Sequence, residues 1–474
     1  MNGFRLKSIK VEDKALNTAR IKLVNNSTVS PTNYFSLLIG NNGTGKSRIL
    51  SYIARALVIN EKSQIQRELL DISPFQYSEP PSKVIAITHS VSDKFPIDKR
   101  HRPSYRIVND LKHRDDFYNY IGLRNRINGF SSTALINKAL DIIFESYIDS
   151  DISRNYRHVF NYLNYQPILK VFYRINYKDF YDDLIEEDTL ITPNILMKYL
   201  ERFTKESYFQ ISESFIEIIN KRSHALCDFI NNSIRDSGRG KLIINFSEKN
   251  ISRLSKDDSK YEENISSYEI ISLLKRIKLI RTVNIELYKT DGEIFEFSEA
   301  SSGEANILST LLALIPLLKD NSLILIDEPE ISLHPLWQSR YIDLLDKVLE
   351  SVSGCHVIIA SHSPFLASDL NPENSCIVTL ENDKGLITSR NIERPTYGWK
   401  SEDILLDVFQ METTRNYNLY EAVSRTLYLL SQKDKPMKEL SRLESQLRQF
   451  YPFILNNDPM KPVLEAIFKA VSYE

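Results

Sequence analysis

Gly40-Asn41-Asn42-Gly43-Thr44-Gly45-Lys46-Ser47 follows the apolar run Tyr34 to Ile39 and precedes Ser47 to Val58, where Ile49, Leu50, Ile53, Ala54 and Leu57 share one helical face. Strand, glycine-rich loop and helix in that order fit G-x-x-x-x-G-K-[ST]. In that pattern the glycines let backbone N–H groups wrap phosphates, and the helix N-terminus adds partial positive charge. Lys46 is expected to pair the β- and γ-phosphates of a nucleotide. Ser47 would give its hydroxyl to Mg2+, a hard ion that takes oxygen ligands. A plain glycine-rich turn would require neither the strand before it nor the helix behind it.

Three downstream stretches carry matching chemistry. LILIDEPE, Leu323 to Glu330, places an acidic pair at the end of a buried apolar strand. One carboxylate, Asp327, can reach Mg2+, and its neighbour Glu328 can act as base on, or orient, the attacking water. ASSGEAN, Ala300 to Asn306, opens a helix with Ser, Ser and Gly, a composition that lets N–H and hydroxyl groups face a phosphate, although read alone it is an ordinary helix cap. IIASHSPF, Ile358 to Phe365, ends a core strand at His362, and a lone histidine is more often structural than functional.

Outward from these motifs, Phe4 to Val11, Ala19 to Val24 and Lys83 to Thr88 read as further strands, the last followed by the basic loop Asp93 to Arg106. From about Tyr118 the texture changes to Tyr, Ile, Asn and Lys without alternation, and Ser131 to Ile148 has helical repeats behind a Ser/Thr cap. A hairpin across Asp291-Gly292, a long apolar helix from Glu304 to Leu318, and strands Leu323 to Ile326, His356 to Ala360 and Cys376 to Leu380 complete a sheet. Helical periodicity runs from Glu402 onward, broken near Pro436 and Pro459. The expected fold is α/β, a P-loop mixed sheet interrupted by a mostly helical insertion and followed by a helical tail. Its parts are 1–117 (head, N-terminal lobe), 118–278 (insertion), 279–400 (head, C-terminal lobe) and 401–474 (tail, an oligomer or partner contact).

Composition excludes more than it selects. Of 474 residues, 42% are apolar and 26% charged, which argues against wholesale disorder. The net charge of −2 offers no global attraction to nucleic acid. Cys227, Cys355 and Cys376 are too scattered for a disulfide framework or a metal pair. With neither a signal-like N-terminus nor a long apolar run, the expected location is cytoplasmic, without membrane contact.

The order of motifs, with a long gap after the P-loop, resembles the ABC-type ATPases of the SMC, RecF and OLD branch. The resemblance spans about Phe4 to Tyr120 and Lys278 to Leu380. It implies ATP and Mg2+ as ligands, bound through Gly40, Asn41, Asn42, Gly43, Thr44, Gly45, Lys46 and Ser47. It implies that ASSGEAN is the signature, usually LSGGQ, with Ser301 contacting phosphate and Gly303 as the last glycine. Ala300 and Glu304 depart from the usual Leu and Gln. His362 becomes the switch histidine beside the γ-phosphate, catalytic together with Glu328 and Lys46, with Ser47 and Asp327 on the metal. Ser332-Leu333-His334-Pro335 takes the place of the D-loop. No Gln follows KVIAITHS where the family carries its Q-loop. The insertion lacks sustained heptads, so a compact arm is expected rather than a long coiled coil.

Within that branch the chain resembles the ATPase subunits of bacterial anti-phage defence operons, Septu-like first and PARIS-like second. That likeness implies an ATP sandwich between two or more copies of the chain and a separate nuclease effector, HNH-type if Septu-like, with DNA reached through the complex. After His362 there is no strand-borne Glu with an Asp-x-Asp pair, as a TOPRIM nuclease would carry, so ATP hydrolysis is the one chemistry expected of the chain. Two alternatives stay open. One is a RecF- or SMC-like clamp holding DNA through Lys275, Arg276, Lys278 and Arg281 with Lys94, Lys99, Arg100 and Arg102; the other is a transporter ATPase subunit.

Overall fold

Strands that are apolar at every position need cover on both faces, and the chain supplies it by burying them mid-sheet between helices. The computed structural model describes residues 3–13, 16–25, 31–62, 75–90, 93–97, 117–122, 132–145, 150–176, 190–206, 213–235, 240–246, 267–432 and 435–472. The N-terminal part runs β1 (Leu6–Ile9), β2 (Glu12–Asp13), β3 (Leu16–Thr18), β4 (Ile21–Lys22), β5 (Tyr34–Gly40), α1 (Lys46–Lys62), β6 (Phe75–Tyr77), β7 (Lys83–Thr88) and β8 (Tyr118–Gly122). Next come α2 (Ser132–Glu145), α3 (Ser150–Tyr162), β9 (Tyr165–Ile175), α4 (Pro193–Glu206), α5 (Glu213–Lys221), α6 (Ser223–Phe229), β10 (Gly240–Asn245), α7 (Ser267–Arg276), β11 (Ile280–Lys289) and β12 (Ile294–Glu296). Then follow α8 (Ser302–Leu314), β13 (Ser322–Asp327), α9 (Pro335–Gln338), α10 (Tyr341–Val348), β14 (His356–Ala360), α11 (Pro364–Ser368), β15 (Ser375–Asp383) and β16 (Leu386–Asn391). The chain closes with α12 (Ser401–Asp407), α13 (Tyr417–Leu430), α14 (Met437–Phe450) and α15 (Met460–Ser472).

Among the described residues the main sheet has nine strands in the order β2-β3-β16-β15-β5-β14-β13-β7-β8. From β15 to β8 all neighbours are parallel. Spatial and chain order part company here, because β14 inserts between the P-loop strand β5 and the acidic strand β13. In register Ala360 pairs with both Leu38 and Asp327, and Asp327 also pairs with Thr88. The carboxyl ends of four adjacent strands therefore form one level crest. Ile49, Leu50, Ile53, Ala54 and Leu57 of α1 pack into the core beneath it with Leu38, Leu325, Ile358 and Val378.

The region read as a helical insertion carries α2 to α7 and, in addition, three strands not anticipated from sequence. β8 joins the main sheet as its edge, so that sheet extends past residue 117. β9 and β10 combine with β11 and β12 in a second sheet of order β10-β9-β11-β12. Tyr165, Leu169, Val171, Tyr173 and Ile175 alternate as buried positions along β9. Ile168 and Phe172 sit on its other face, which is why the period of two was hard to see. The expected apolar helix up to Leu318 instead ends at Leu314, where Pro316 follows in a tight 3-10 turn.

By contact density the chain divides into residues 1–398 and 399–474. The smaller unit has its own core, with Leu419, Ala422, Val423 and Leu429 of α13 meeting Leu440 and Leu447 of α14 and Leu464, Ile467 and Val471 of α15. These repeats at helical spacing make it a three-helix packing unit. Arg415 clamps Asp458 there through two hydrogen bonds of 2.9 and 2.8 Å.

Candidate functional site

The P-loop crest assembles from backbone constraints first. Gly43 and Gly45 take φ of +86° and +81°, values that L side chains rarely adopt, and a Cβ on Gly40 would lie 2.6 Å from the Leu380 carbonyl. Thr44 Oγ1 donates to the Asn41 carbonyl at 2.9 Å, closing the loop on itself. Asn41, Asn42 and Gly43 are exposed at its tip. Lys46 folds inward, its Nζ donating to the Gly40 carbonyl at 2.7 Å and to the Asn41 carbonyl at 3.3 Å. Burial pulls the Lys46 ammonium down to about 8, against the opposing pull of Glu328, Glu330 and Asp327.

Facing the loop is the acidic end of β13. Ser47 Oγ donates to Asp327 Oδ1 at 2.8 Å, so the two oxygen ligands expected of Mg2+ already adjoin. Burial pushes the Asp327 carboxyl up to about 7; the Ser47 hydrogen bond lowers it, while Glu328, Asp93 and Glu330 raise it. Glu328 has a φ of +50°, unusual for a side chain with a Cβ, and its N–H donates to the Ala360 carbonyl at 2.8 Å. Among the described residues no three His, Cys, Asp or Glu side chains are grouped to hold a metal alone. One carboxylate and one hydroxyl fit the other mode, in which Mg2+ keeps waters and shares the phosphates of its substrate.

His362 follows β14 and so lies between the P-loop strand and the acidic strand. Its backbone N–H donates to Glu330 Oε1. Burial, then the Lys46 charge, holds its imidazole below the usual range, which keeps it neutral at physiological pH. The structure thus brings Lys46, Ser47, Asp327, Glu328 and His362 to one crest.

Two members of this cluster were missed. Glu330 has a buried carboxylate that accepts from the His362 N–H, and burial raises its pKa. It was visible as a third carboxylate in LILIDEPE. Asp93 enters from the loop after β7, its carboxylate accepting from the Phe95 N–H and the Tyr120 hydroxyl, both at 2.9 Å. The Phe95 contact is local, but only the pairing of β7 with β8 brings Tyr120 to it. The place expected for a Q-loop glutamine holds His89, buried at the end of β7 with Nδ1 unpartnered.

Ser301 and Gly303 form a separate constellation. Ser301 caps α8, its hydroxyl accepting from the Glu304 N–H at 3.3 Å while Glu304 Oε2 accepts from the Ser301 N–H at 2.8 Å. Ser301 and Ser302 are exposed, and among the described residues none of their hydrogen bonds reaches the P-loop. Gly303 instead abuts the D-loop: a Cβ there would lie 2.4 Å from the Ser332 carbonyl. Ser332 itself has φ +65°. Gln338 joins this loop to the segment after His362, donating to the Leu333 carbonyl at 2.9 Å and accepting from Ser363 Oγ at 2.7 Å.

Of the basic residues weighed for DNA, Lys99, Arg100 and Arg102 lie outside the described residues. Lys275 is committed to an ion pair with Asp141. Arg281 is exposed and stands directly opposite Arg174 in the β11–β9 register.

Two curated relatives match part of the chain. Protein ea59 of Escherichia phage lambda is 30% identical over 178 residues, covering 35% of this chain and 32% of that protein. Septu protein PtuA of Bacillus thuringiensis is 27% identical over 158 residues, covering 30% of this chain and 39% of that protein. The chain thus spans well under half the length of either. Solved structures with similarity include the SMC head domain of Thermotoga maritima, at 18% identity and TM-score 0.19 over 24% of this chain and 41% of that one. The Pyrococcus furiosus Smc head bound to the ScpA C-terminal domain has 10% identity and TM-score 0.29 over 82% and 96%. The model of the family described as "AAA domain, putative AbiEii toxin, Type IV TA system" matches residues 35–369, from the P-loop strand through the signature, acidic strand and His362. The chain belongs to this AAA-domain family.

Proposed function

We propose that the chain is a Mg2+-dependent ATPase whose nucleotide is sandwiched between the P-loop crest of one copy and the signature of another, and that this ATP-driven assembly regulates a separate nuclease effector in anti-phage defence. The observation that carries the reading is the division of the site. Lys46, Ser47, Asp327, Glu328 and His362 converge on one crest, whereas the phosphate-facing cap of α8 is exposed and bonded elsewhere.

Residues 40–47 hold the phosphates through backbone N–H groups, and Lys46 exchanges its loop carbonyls for phosphate oxygens. Ser47 and Asp327 hold Mg2+, which when bound offsets the charge that develops on the phosphates. Glu328 orients the attacking water and receives its proton. Neutral His362 donates a hydrogen bond toward the γ-phosphate, with Glu330 fixing its backbone. Ser301, from the second copy, completes the donor set around that phosphate.

The defence role rests on the likeness to Septu protein PtuA. An HNH-type effector is the partner of choice on that likeness, with DNA reached through the complex. The test is the mass of the purified protein with and without Mg-ATP, for the unaltered chain, Glu328→Gln and Ser301→Arg, alone and with co-purifying protein. An ATP-strengthened oligomer, trapped by Glu328→Gln, lost in Ser301→Arg and carrying a nuclease, is expected. An ATP-independent monomer sinks the sandwich. The second reading, a clamp that grips DNA directly, is favoured by the Arg174–Arg281 pair, since like charges face to face are stabilised by an anion between them. Strongly salt-dependent DNA binding by the isolated protein would shift the conclusion to it.

A further inference from the structure

The signature cap does not stand alone. Glu304, which holds the Ser301 N–H with Oε2, accepts with Oε1 from the hydroxyl of Tyr165 at 2.5 Å. Tyr165 is the first residue of β9 and belongs to the insertion. Glu304 remains a carboxylate there: burial pushes its pKa up, but the hydrogen bonds from Ser301 and Tyr165 outweigh that and hold it below the usual value. An ionised carboxylate only accepts, so both neighbours must donate to it. The Ser301 oxygen in turn accepts from the Glu304 N–H, so that cap and carboxylate hold each other from both sides.

The base on which Tyr165 rests is firm. Its ring lies 5.3 Å from that of Phe295, and its backbone pairs with Lys289. Just before it, Asn164 takes φ +60° in a tight turn, and its carbonyl accepts from the Thr290 N–H at 3.2 Å. On the other side of the turn the Tyr162 hydroxyl donates to the Trp337 carbonyl, in the short helix that follows the D-loop. Earlier in α3, buried Asn155 donates to the Val348 carbonyl at 2.9 Å and to Ser351 Oγ at 2.7 Å. One four-residue turn of the insertion thus grips both elements that the sandwich presents to a second copy, the D-loop side through Tyr162 and the signature through Tyr165.

We propose that Tyr165 is a positioning residue of the ATPase reaction: through Glu304 it sets the Ser301 cap, so that the insertion controls hydrolysis at the nucleotide of the other copy. This rests on the sandwich reading above. Tyr165 touches no nucleotide, and its own P-loop keeps its affinity when the hydroxyl is lost.

The test uses the full chain. Tyr165→Phe removes one oxygen and leaves the ring packing, and we expect kcat to fall roughly five- to fifty-fold with ATP affinity unchanged. In a Glu304→Ala background the same change adds nothing further, because the link is already broken. Mixed assemblies of differently tagged copies then assign direction. Unaltered chain paired with a Lys46→Ala, Tyr165→Phe double variant is slow, since the one working P-loop meets a loosened signature. Tyr165→Phe paired with Lys46→Ala keeps the rate of unaltered chain paired with Lys46→Ala. Equal rates in the two mixtures, or full additivity with Glu304→Ala, overturn the inference while the sandwich stands. If the unaltered chain forms no ATP-dependent assembly, or Ser301→Arg leaves it intact, the sandwich falls and the inference with it.

Discussion

The two parts that the proposed sandwich assigns to the nucleotide are built in opposite ways. The crest half is closed on itself: Lys46 rests on Gly40 and Asn41, Ser47 on Asp327, Glu328 on Ala360 and His362 on Glu330. The signature half presents Ser301 and Ser302 to solvent and is supported from behind, by Glu304, Tyr165 and the Ser332 carbonyl beneath Gly303. On the proposed sandwich, this exposed cap is the part that a second copy's nucleotide would meet. If the proposed sandwich holds, the difference makes binding and turnover separable, and the predictions below test that.

The largest effect is expected on the crest. Glu328→Gln keeps the shape of the side chain but cannot take a proton, and turnover should fall by about 10²- to 10⁴-fold with ATP binding retained. Single-turnover hydrolysis beside an equilibrium ATP-binding assay checks this; unchanged turnover removes Glu328 from its role.

Next comes Gly303→Ala on the other half. The added methyl would sit 2.4 Å from the Ser332 carbonyl, a backbone atom that cannot swing aside. We expect a stability loss of about 1–3 kcal/mol and a larger relative loss of ATP-driven assembly, with monomer ATP affinity unaltered. Chemical denaturation and light scattering with ATP distinguish the two. An assembly as strong as that of the unaltered chain would mean that signature and D-loop need not pack.

What could be read in advance follows the same division. The crest was legible because its constraints are local: positive φ selects Gly43 and Gly45, full burial selects the apolar runs of β5, β13 and β14, and charge at a strand end selects Asp327 and Glu328. What was not legible is tertiary. Chain order could not show that β14 slips between β5 and β13, which is what seats His362 beside Lys46. Asp93 acquires its place only when Tyr120 arrives on β8. Tyr165 looked like one more tyrosine in a Tyr- and Asn-rich stretch, because its partner is Glu304, far along the chain.

Acid should weaken the folded chain through two buried histidines of the main sheet. His356, wholly buried in β14, accepts from the Leu6 N–H at 3.0 Å through Nδ1, so its Nε2, 2.7 Å from Ser36 Oγ, carries the proton. Burial, then the Arg5 charge, holds its pKa well below 6.5, and burial holds that of His89 down to about 4. Both are therefore neutral in the folded chain and protonated in the unfolded chain below about pH 6.5. Stability is whole above that pH and falls as pH drops, by about 1.4 kcal/mol per unit for each group, with the His89 share ending near its folded value of about 4. Denaturation curves between pH 7 and 4 should show the fall, and His356→Gln should make it shallower; an identical slope would sink the assignment.

The smallest effect lies at the contact between protein and phosphate. Lys46 has a pKa of about 8 before nucleotide arrives, lowered by burial. Phosphate oxygens favour the charged form, so binding must draw in a proton wherever the ammonium has been lost. The sign follows: affinity is flat below about pH 8 and weakens above it, approaching tenfold per pH unit. Lys46→Arg carries a guanidinium that does not titrate in this range; it should bind ATP more weakly but without the alkaline decline. ATP dissociation constants for both forms between pH 7 and 9.5 decide the matter. Parallel profiles would place the titrating group elsewhere on the crest, whereas a decline confined to the unaltered chain would tie nucleotide capture to the lysine that the loop holds on its own carbonyls.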